Sequence, residues 1–332
     1  PLDELDLHVD DLRAAMRWAL GTGRPDDALA IVAPSAWFWI LRARIPEALT
    51  WLRESLVPGT AVSSPRCLQG WWATLQLLAH HDTKHADLEH AWTTASAIAE
   101  ELDDRAMDAR LSVWWGSHLS FHRPDDGIEL LESARDRCDD SGVGFWAAYA
   151  EGGLALGRVF QGRDDLADQH LRAMAGRRQV LPSTRLQLDE LTRQVLVDYS
   201  LGRYDAARRA ADLVAQGLDG VSEINMQGTA LAVAGWIDVE RGEAATVVGR
   251  MEDLLARYLR EGELQHVPSI LLALSRALLA EGRPDEASAH LRSSWSVPEL
   301  QAFVRARLWY RHDLALAELL AGRTASAAAG FE

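Results

Sequence analysis

The sequence predicts an all-α protein, a right-handed α-α superhelix built from helix-pair repeats of 40 residues. Three observations lead to this prediction. A Gly-Arg or Gly-Glu turn recurs at an interval of 40 residues, residues that favour helix dominate the chain, and two columns of positions beside the turns are apolar in every repeat. A repeat of this length is typical of a solenoid, in which each helix pair packs on its neighbours.

Seven turns share one register. Five contain glycine, and two earlier turns at the same interval, His122-Arg123-Pro124-Asp125 and Asp82-Thr83, have glycine replaced. Glycine supplies the left-handed residue that ends a helix, and Pro or Asp just beyond it starts the next helix. The five glycine turns begin at Gly162, Gly202, Gly242, Gly282 and Gly322.

The positions beside the turns have a constant character. The position three residues before the turn and the position nine residues after it are apolar in all seven repeats, whereas the positions seven before and five after tend to be small. We expect the apolar columns to stack one helix pair on the next and the small residues to let helices approach closely. The column nine residues after the turn is Ala91, Leu131, Leu171, Ala211, Met251, Leu291 and Phe331.

The first 56 residues differ from the array and form an N-terminal helical cap. We expect helices there over about 5–20, 25–41 and 46–56. Residues 57–66 are rich in Pro, Gly and Ser and are predicted to be a loop, and residues 67–332 form about seven repeats, the last one incomplete. Because the chain starts at Pro1 and the last second helix would end near Phe331, we expect a fragment of a larger protein.

Composition narrows the class of partner. The chain has 332 residues, 48% of them apolar, and a net charge of −15. Such a surface repels phosphate backbones and anionic lipids, so we expect neither direct nucleic-acid contact nor membrane binding. No export signal or spanning segment is evident, and Cys67 and Cys138 have no metal or redox spacing, which favours a cytoplasmic protein with free thiols.

The turn Gly282-Arg-Pro-Asp-Glu-Ala287 resembles the opening of the second helix in the tetratricopeptide repeat (TPR). The period is 40 residues here rather than the usual 34, so we expect longer helices. The longer period is similar to the solenoid of the maltose-regulon activator and its relatives among large LuxR-type regulators.

Four segments near the start carry a more specific resemblance: 10–20, 23–30, 37–39 and 46–52. Together they are similar to the stretch that follows the nucleotide-binding module in actinomycete antibiotic-regulator and LuxR-type signal-transduction ATPases. The resemblance implies an upstream ATPase and DNA-binding module in the same chain and an array that senses a ligand or a partner protein. The chain itself has no P-loop motif, so we expect no catalytic residue and no cofactor here.

Tryptophan is the most distinctive residue type, with 13 copies. The doublets Trp71-Trp72 and Trp114-Trp115 fall on first helices of consecutive repeats, the helices that line the concave side of a TPR array. One ring of each doublet could face an effector or partner in the groove, or the rings could only fill gaps between long helices. The candidate binding residues are Trp71, Trp72, Trp114, Trp115, Arg158, Arg193 and Trp236.

Two polar clusters suggest weaker alternatives. His80, His81 and His85 could bind a metal but straddle a predicted turn, so we expect an exposed turn and no metal site. Asp103, Asp104 and Asp108 resemble the acidic magnesium motif of all-α terpene synthases, although Asp is also a common N-cap at such a place. We expect a binding arm of a bacterial transcriptional regulator, with a free-standing TPR scaffold that binds a protein segment as the alternative.

Overall fold

A computed structural model describes residues 2–42, 44–56, 63–81, 85–120, 123–181, 184–217, 224–261, 266–295 and 304–331. Within these ranges the chain forms helices and no strand, and none of the helices is both long and apolar enough to cross a membrane. The helices are α1 (Leu2–Leu7), α2 (Val9–Gly21), α3 (Pro25–Val32), α4 (Ala36–Leu41), α5 (Ile45–Ser55), α6 (Pro65–His81), α7 (His85–Glu101), α8 (Arg105–Leu119), α9 (Pro124–Asp140), α10 (Gly144–Phe160), α11 (Asp164–Val180), α12 (Thr184–Ser200), α13 (Tyr204–Gly217), α14 (Ile224–Glu240), α15 (Ala244–Glu261), α16 (Val267–Ala280), α17 (Pro284–Trp295), α18 (Val304–Leu320) and α19 (Thr324–Phe331).

The chain divides into two compact units. Unit 1 is built mainly from Pro1–Leu111, and unit 2 from Ser112–Arg260 and His266–Glu332. The predicted cap and loop boundaries lie inside unit 1, where α6 begins at Pro65, within the predicted loop. The first helices of the repeats are α6, α8, α10, α12, α14, α16 and α18, and the second helices alternate with them.

The glycine turns have the predicted left-handed geometry. In each of the five, glycine has a positive φ between +70° and +84°. The next backbone N–H donates to the carbonyl five residues earlier, as from Arg203 to Asp198 at 2.8 Å and from Arg283 to Leu278 at 2.9 Å. This pattern closes the end of the first helix and satisfies one of its terminal carbonyls. Asp82-Thr83 and His122 of the two earlier predicted turns lie outside the described residues.

Two of the predicted columns are buried, but the apolar column three residues before the turn is mostly half-buried, with Leu119 buried and Leu319 47% exposed. The position nine residues after the turn is at most 6% exposed from Ala91 to Leu291. The position seven before the turn is buried in all seven repeats, from Leu75 to Ala315, and includes the polar Ser275. These two buried columns therefore form the core along each repeat, as expected from their constant character.

Small residues allow close contact within a pair, most clearly between α8 and α9. A Cβ on Gly127 would lie 2.6 Å from the Ser120 nitrogen and 2.9 Å from the Gly116 carbonyl oxygen. Both atoms belong to the backbone, so they cannot move aside. The same position in later repeats holds Ala167 and Ala207, each fully buried.

Two of the three predicted N-terminal helices are divided, whereas the one expected over 46–56 is found as α5. The helix expected over 5–20 is interrupted at His8, whose N–H donates to the Leu5 carbonyl at 3.1 Å. The helix expected over 25–41 is divided between α3 and α4 at Pro34. Proline lacks an N–H and clashes with the preceding turn, which ends α3.

Buried carboxylates near the ends of first helices tie neighbouring helices together. Glu318 on α18 is 1% exposed and accepts from Arg323 Nε at 2.6 Å, with further bonds from Arg292 at 3.2 Å and from the Ser288 hydroxyl. The Arg323 guanidinium and these donors lower the pKa of Glu318 from 4.5 to about 2. Asp238 on α14 is bonded in the same manner by Arg208 and Arg250.

Two exposed glycines, Gly162 in a turn and Gly176 inside a helix, provide a matched test of the turn geometry. Gly162 has a φ of +70° and Gly176 is in the interior of α11, and a Cβ at either would meet open space. We expect Gly162→Ala to destabilise by about 1 kcal/mol through backbone strain, and Gly176→Ala to stabilise by about 0.5–1 kcal/mol through reduced chain entropy. Thermal unfolding followed by circular dichroism measures both, and shifts of equal sign would contradict the assigned turn.

Glu318 should make stability depend on acid pH. A carboxylate with a lowered pKa stabilises fully above its ordinary value of 4.5, and this stabilisation is lost as pH falls toward about 2. We expect Glu318→Gln to cost about 3 kcal/mol at pH 7. Urea unfolding at pH 3 should show that the difference in unfolding free energy between this variant and the unmodified chain is less than half of its value at pH 7. The exposed Glu252 is a matched control, because Glu252→Gln should change the unfolding free energy by less than about 0.5 kcal/mol at pH 7.

Candidate functional site

The first helices of unit 2 pack directly on one another. Contacts run from α10 to α12, from α12 to α14, from α14 to α16 and from α16 to α18. Most side chains of α10, α14 and α16 are buried, so few positions on these helices remain accessible. The side chains at these positions decide what this layer can bind.

Aromatic rings and arginines connect the later first helices of unit 2. Arg276 on α16 lies over the Trp236 ring of α14, 5.2 Å from its centroid, and its Nε bonds Asp313 on α18 at 3.2 Å. The Trp236 ring lies 5.3 Å from that of Tyr199 on α12. Burial raises the pKa of Tyr199 further above neutral pH, despite the opposing effect of Arg276.

A second stack joins α10 and α12. The Arg193 guanidinium lies over the Tyr149 ring at 5.3 Å, and its Nη2 donates to the Tyr149 hydroxyl at 3.3 Å. Trp146 contacts the edge of the same ring at 5.5 Å. Gly152 makes room for the arginine stem, because a Cβ there would lie 3.1 Å from Arg193 Cγ. A guanidinium thus lies over an aromatic ring of the neighbouring first helix.

We call these residues the arginine–aromatic row; they are Tyr149, Arg193, Tyr199, Trp236 and Arg276. Sequence reasoning singled out Arg193 and Trp236 as binding residues but missed the two tyrosines. The sequence does contain one sign of the contact between Trp236 and Arg276, because the two residues are 40 positions apart and so occupy the same position in consecutive repeats. Tyr149 and Arg193 are 44 residues apart, one repeat plus about one helical turn, which hides the pair from a strict register.

The tryptophan doublets lie on first helices, as predicted, but in different units. In unit 1, Trp71 and Trp72 on α6 are both half-buried, and Trp71 contacts the His90 ring at 5.5 Å. In unit 2, Trp115 is 2% exposed while Trp114 is half-buried. The second doublet thus divides into one core ring and one accessible ring, and whether any of the four rings binds a ligand stays a prediction.

Arg158, another predicted binding residue, lies in an interhelical ion pair. Its Nη2 bonds Glu132 on the preceding second helix at 2.5 Å. The same contact occurs with the charges exchanged between Glu318 and Arg292 at 3.1 Å. Either sign at this position therefore joins a first helix to the second helix before it, and we leave Arg158 out of the row.

The polar clusters of the sequence give no metal site among the described residues. The His81 and His85 side chains lie outside the described residues, and the His80 ring contacts the Trp37 ring at 5.7 Å. Asp103 has a positive φ of 50° at the end of α7, and Asp104 Oδ1 accepts from the Met107 N–H at 3.0 Å. The aspartates are thus a helix end and an N-cap. Cys67 and Cys138 are free and buried.

Solved structures share this fold. A Rap protein complexed with competence and sporulation factor aligns with a TM-score of 0.67 at 12% identity, over 100% of this chain and 96% of its own. A signal transduction ATPase with numerous domains (STAND) and a TPR sensor, from Pyrococcus horikoshii, aligns with a TM-score of 0.56 at 12% identity. That match covers 88% of this chain and 48% of the archaeal protein, so the chain spans about half its length.

These likenesses confirm the predicted fold class, an all-α solenoid of TPR-like helix pairs. At 12% identity they establish the fold alone. No protein-family model matches the chain, and no curated protein matches it at a significant level.

The two arginines of the row should contribute differently to the unfolding free energy. Arg276→Gln removes the bond to Asp313, which is 3% exposed, and should cost about 3 kcal/mol because a buried charge loses its arginine partner. Arg193→Gln removes a stack on tyrosine and should cost less than about 1 kcal/mol. Urea unfolding of both variants measures the difference, and adding Asp313→Asn to Arg276→Gln should recover part of the loss. Equal costs would show that Arg193 is as structural as Arg276.

Proposed function

We propose that the chain is the sensor and interaction arm of a bacterial transcriptional regulator and acts by binding rather than catalysis. In this proposal an effector or partner protein binds the first-helix layer and controls an upstream ATPase and DNA-binding module of the same protein. The observation that carries the proposal is the helical block over 10–52 followed by the TPR-like array. The likeness to a STAND protein that has a TPR sensor and is about twice as long supports it.

The geometry supports binding at the first helices of unit 2. Four members of the row, Tyr149, Arg193, Tyr199 and Arg276, are half-buried and offer phenol rings and guanidinium groups that can hold apolar and polar groups of a partner. Trp236 is 4% exposed, so it packs in the core of the layer. To work as a switch, the bound partner must favour one state of the upstream module over the other, because equal affinity for two states shifts nothing. Holding a partner and favouring one state of the upstream module both depend on binding energy, and neither needs a catalytic residue.

One observation favours a second candidate, a free-standing TPR scaffold that binds a protein segment. The Rap protein aligns over 96% of its own length, and its structure contains competence and sporulation factor. A chain of this size could therefore act without an attached ATPase. The complete reading frame of the gene decides between the two candidates, since absence of an upstream P-loop and DNA-binding module would reject the regulator and leave the scaffold.

Tryptophan emission provides a test of binding itself. Peptides and small molecules that occupy the first-helix layer should change the emission of half-buried rings such as Trp114. We expect the response to shrink in Trp114→Phe or Trp146→Phe, both half-buried in unit 2, and to persist in Trp39→Phe, whose ring is fully buried in unit 1. A screen in which binding detected by calorimetry leaves every variant with the same response would show that the ligand sits elsewhere.

A further inference from the structure

The chemistry of a partner can be inferred from how arginines in unit 2 are satisfied. The half-buried arginines around the row bond carboxylates: Arg178 bonds Glu190, Arg208 bonds Asp238 at 2.9 Å, and Arg276 bonds Asp313 at 3.2 Å. In a chain with 49 acidic and 34 basic residues, a carboxylate is the expected partner of a half-buried guanidinium. Arg193 departs from this rule.

Arg193 has Tyr149 as its hydrogen-bond partner, and none of the described carboxylates bonds it. Its nearest acidic neighbours on α12 are engaged elsewhere, since Glu190 bonds Arg178 and Asp189 has contacts of its own. A guanidinium has five N–H donors, and the single bond to the tyrosine hydroxyl uses one of them. Arg193 is therefore a positioned cation with most of its donors still available.

The position of Arg193 is fixed by its surroundings. The Tyr149 ring and hydroxyl both contact the guanidinium, and Gly152 lets the side-chain stem lie against α10. A planar guanidinium held against a ring presents its N–H edge in a defined direction, which suits a carboxylate. Trp146 is half-buried and contacts the Tyr149 ring, so an apolar ring lies beside the tyrosine that holds the guanidinium.

Charge limits how acidic the partner can be. The chain carries a net charge of −15, so a polyacidic segment would be repelled before it reached the layer. One carboxylate at contact distance from Arg193 is favourable because the interaction is local and partly desolvated. The remaining residues of the partner should then be neutral or basic.

We propose that Arg193 and Tyr149 form a recognition site for one aspartate or glutamate side chain of a partner protein segment that is otherwise neutral or basic. An apolar residue of the segment next to this acid packs on Trp146. This inference rests on the proposed binding function and specifies the partner for it. The Arg193 guanidinium supplies the specificity, and the aromatic rings supply contact area.

Selection from a random dodecapeptide display library on the intact chain tests the proposal. We expect the recovered peptides to share one Asp or Glu next to an apolar residue and to carry no net negative charge. Selection on Arg193→Gln should lose this acid, whereas selection on Arg209→Gln should retain it, because Arg209 is an exposed residue of α13 outside the row. Circular dichroism of each variant establishes that it is folded.

Affinities then measure the contact directly. For a selected peptide, Arg193→Gln and replacement of the peptide's acid by its amide should each weaken binding about 10- to 100-fold, and the two together no more than either alone. Additive losses, or an acid that persists in selection on Arg193→Gln, would overturn the site at Arg193. Peptides recovered without a shared acid would overturn it while leaving peptide binding intact. Recovery of no peptide would refute binding of a protein segment altogether.

Discussion

Close approach of the two helices in a pair is the constraint on which the rest of this fold depends. Gly127 lies so near the backbone of α8 that a side chain there would collide with main-chain atoms, and the later pairs admit a small buried side chain such as Ala167 or Ala207 at this position. Helices this close need a short connection, and a left-handed glycine such as Gly202 provides it. The turn and the small position recur every 40 residues, so each helix pair repeats the same close contact along the array.

Contacts that depend on backbone geometry could be predicted from the sequence, because glycine and small residues are needed at fixed positions. Contacts between charges could not. Arg158 pairs with Glu132 while Glu318 pairs with Arg292 at the equivalent place, so the position shows no constant charge even though the ion pair recurs. The division of the second N-terminal helix follows from Pro34, because proline cannot continue the helix that ends at Val32.

The candidate site was harder to predict because its members come from different helices and different registers. Trp236 and Arg193 were identified by residue type. Tyr149 becomes a candidate only because Arg193 of the next first helix lies over its ring. No single helix shows which arginine is already neutralised, since Asp313, the partner of Arg276, is 37 residues away. The contacts between packed helices are needed to distinguish an arginine that bonds a buried carboxylate from one that does not.

The layer also suggests how binding at one place could reach another. α12 holds Arg193 over Tyr149 near its middle and Tyr199 against Trp236 near its end, so one helix belongs to both halves of the row. A partner acid that bonds Arg193 in its place over Tyr149 strengthens the contact of α12 with α10, and a rigid helix carries a change in that contact to Tyr199. Transmission of this kind needs two packings of α12 that differ little in free energy. The Arg193 stack meets that condition better than the buried ion pair of Arg276, because loss of a tyrosine contact costs far less than exposure of an unpaired buried charge.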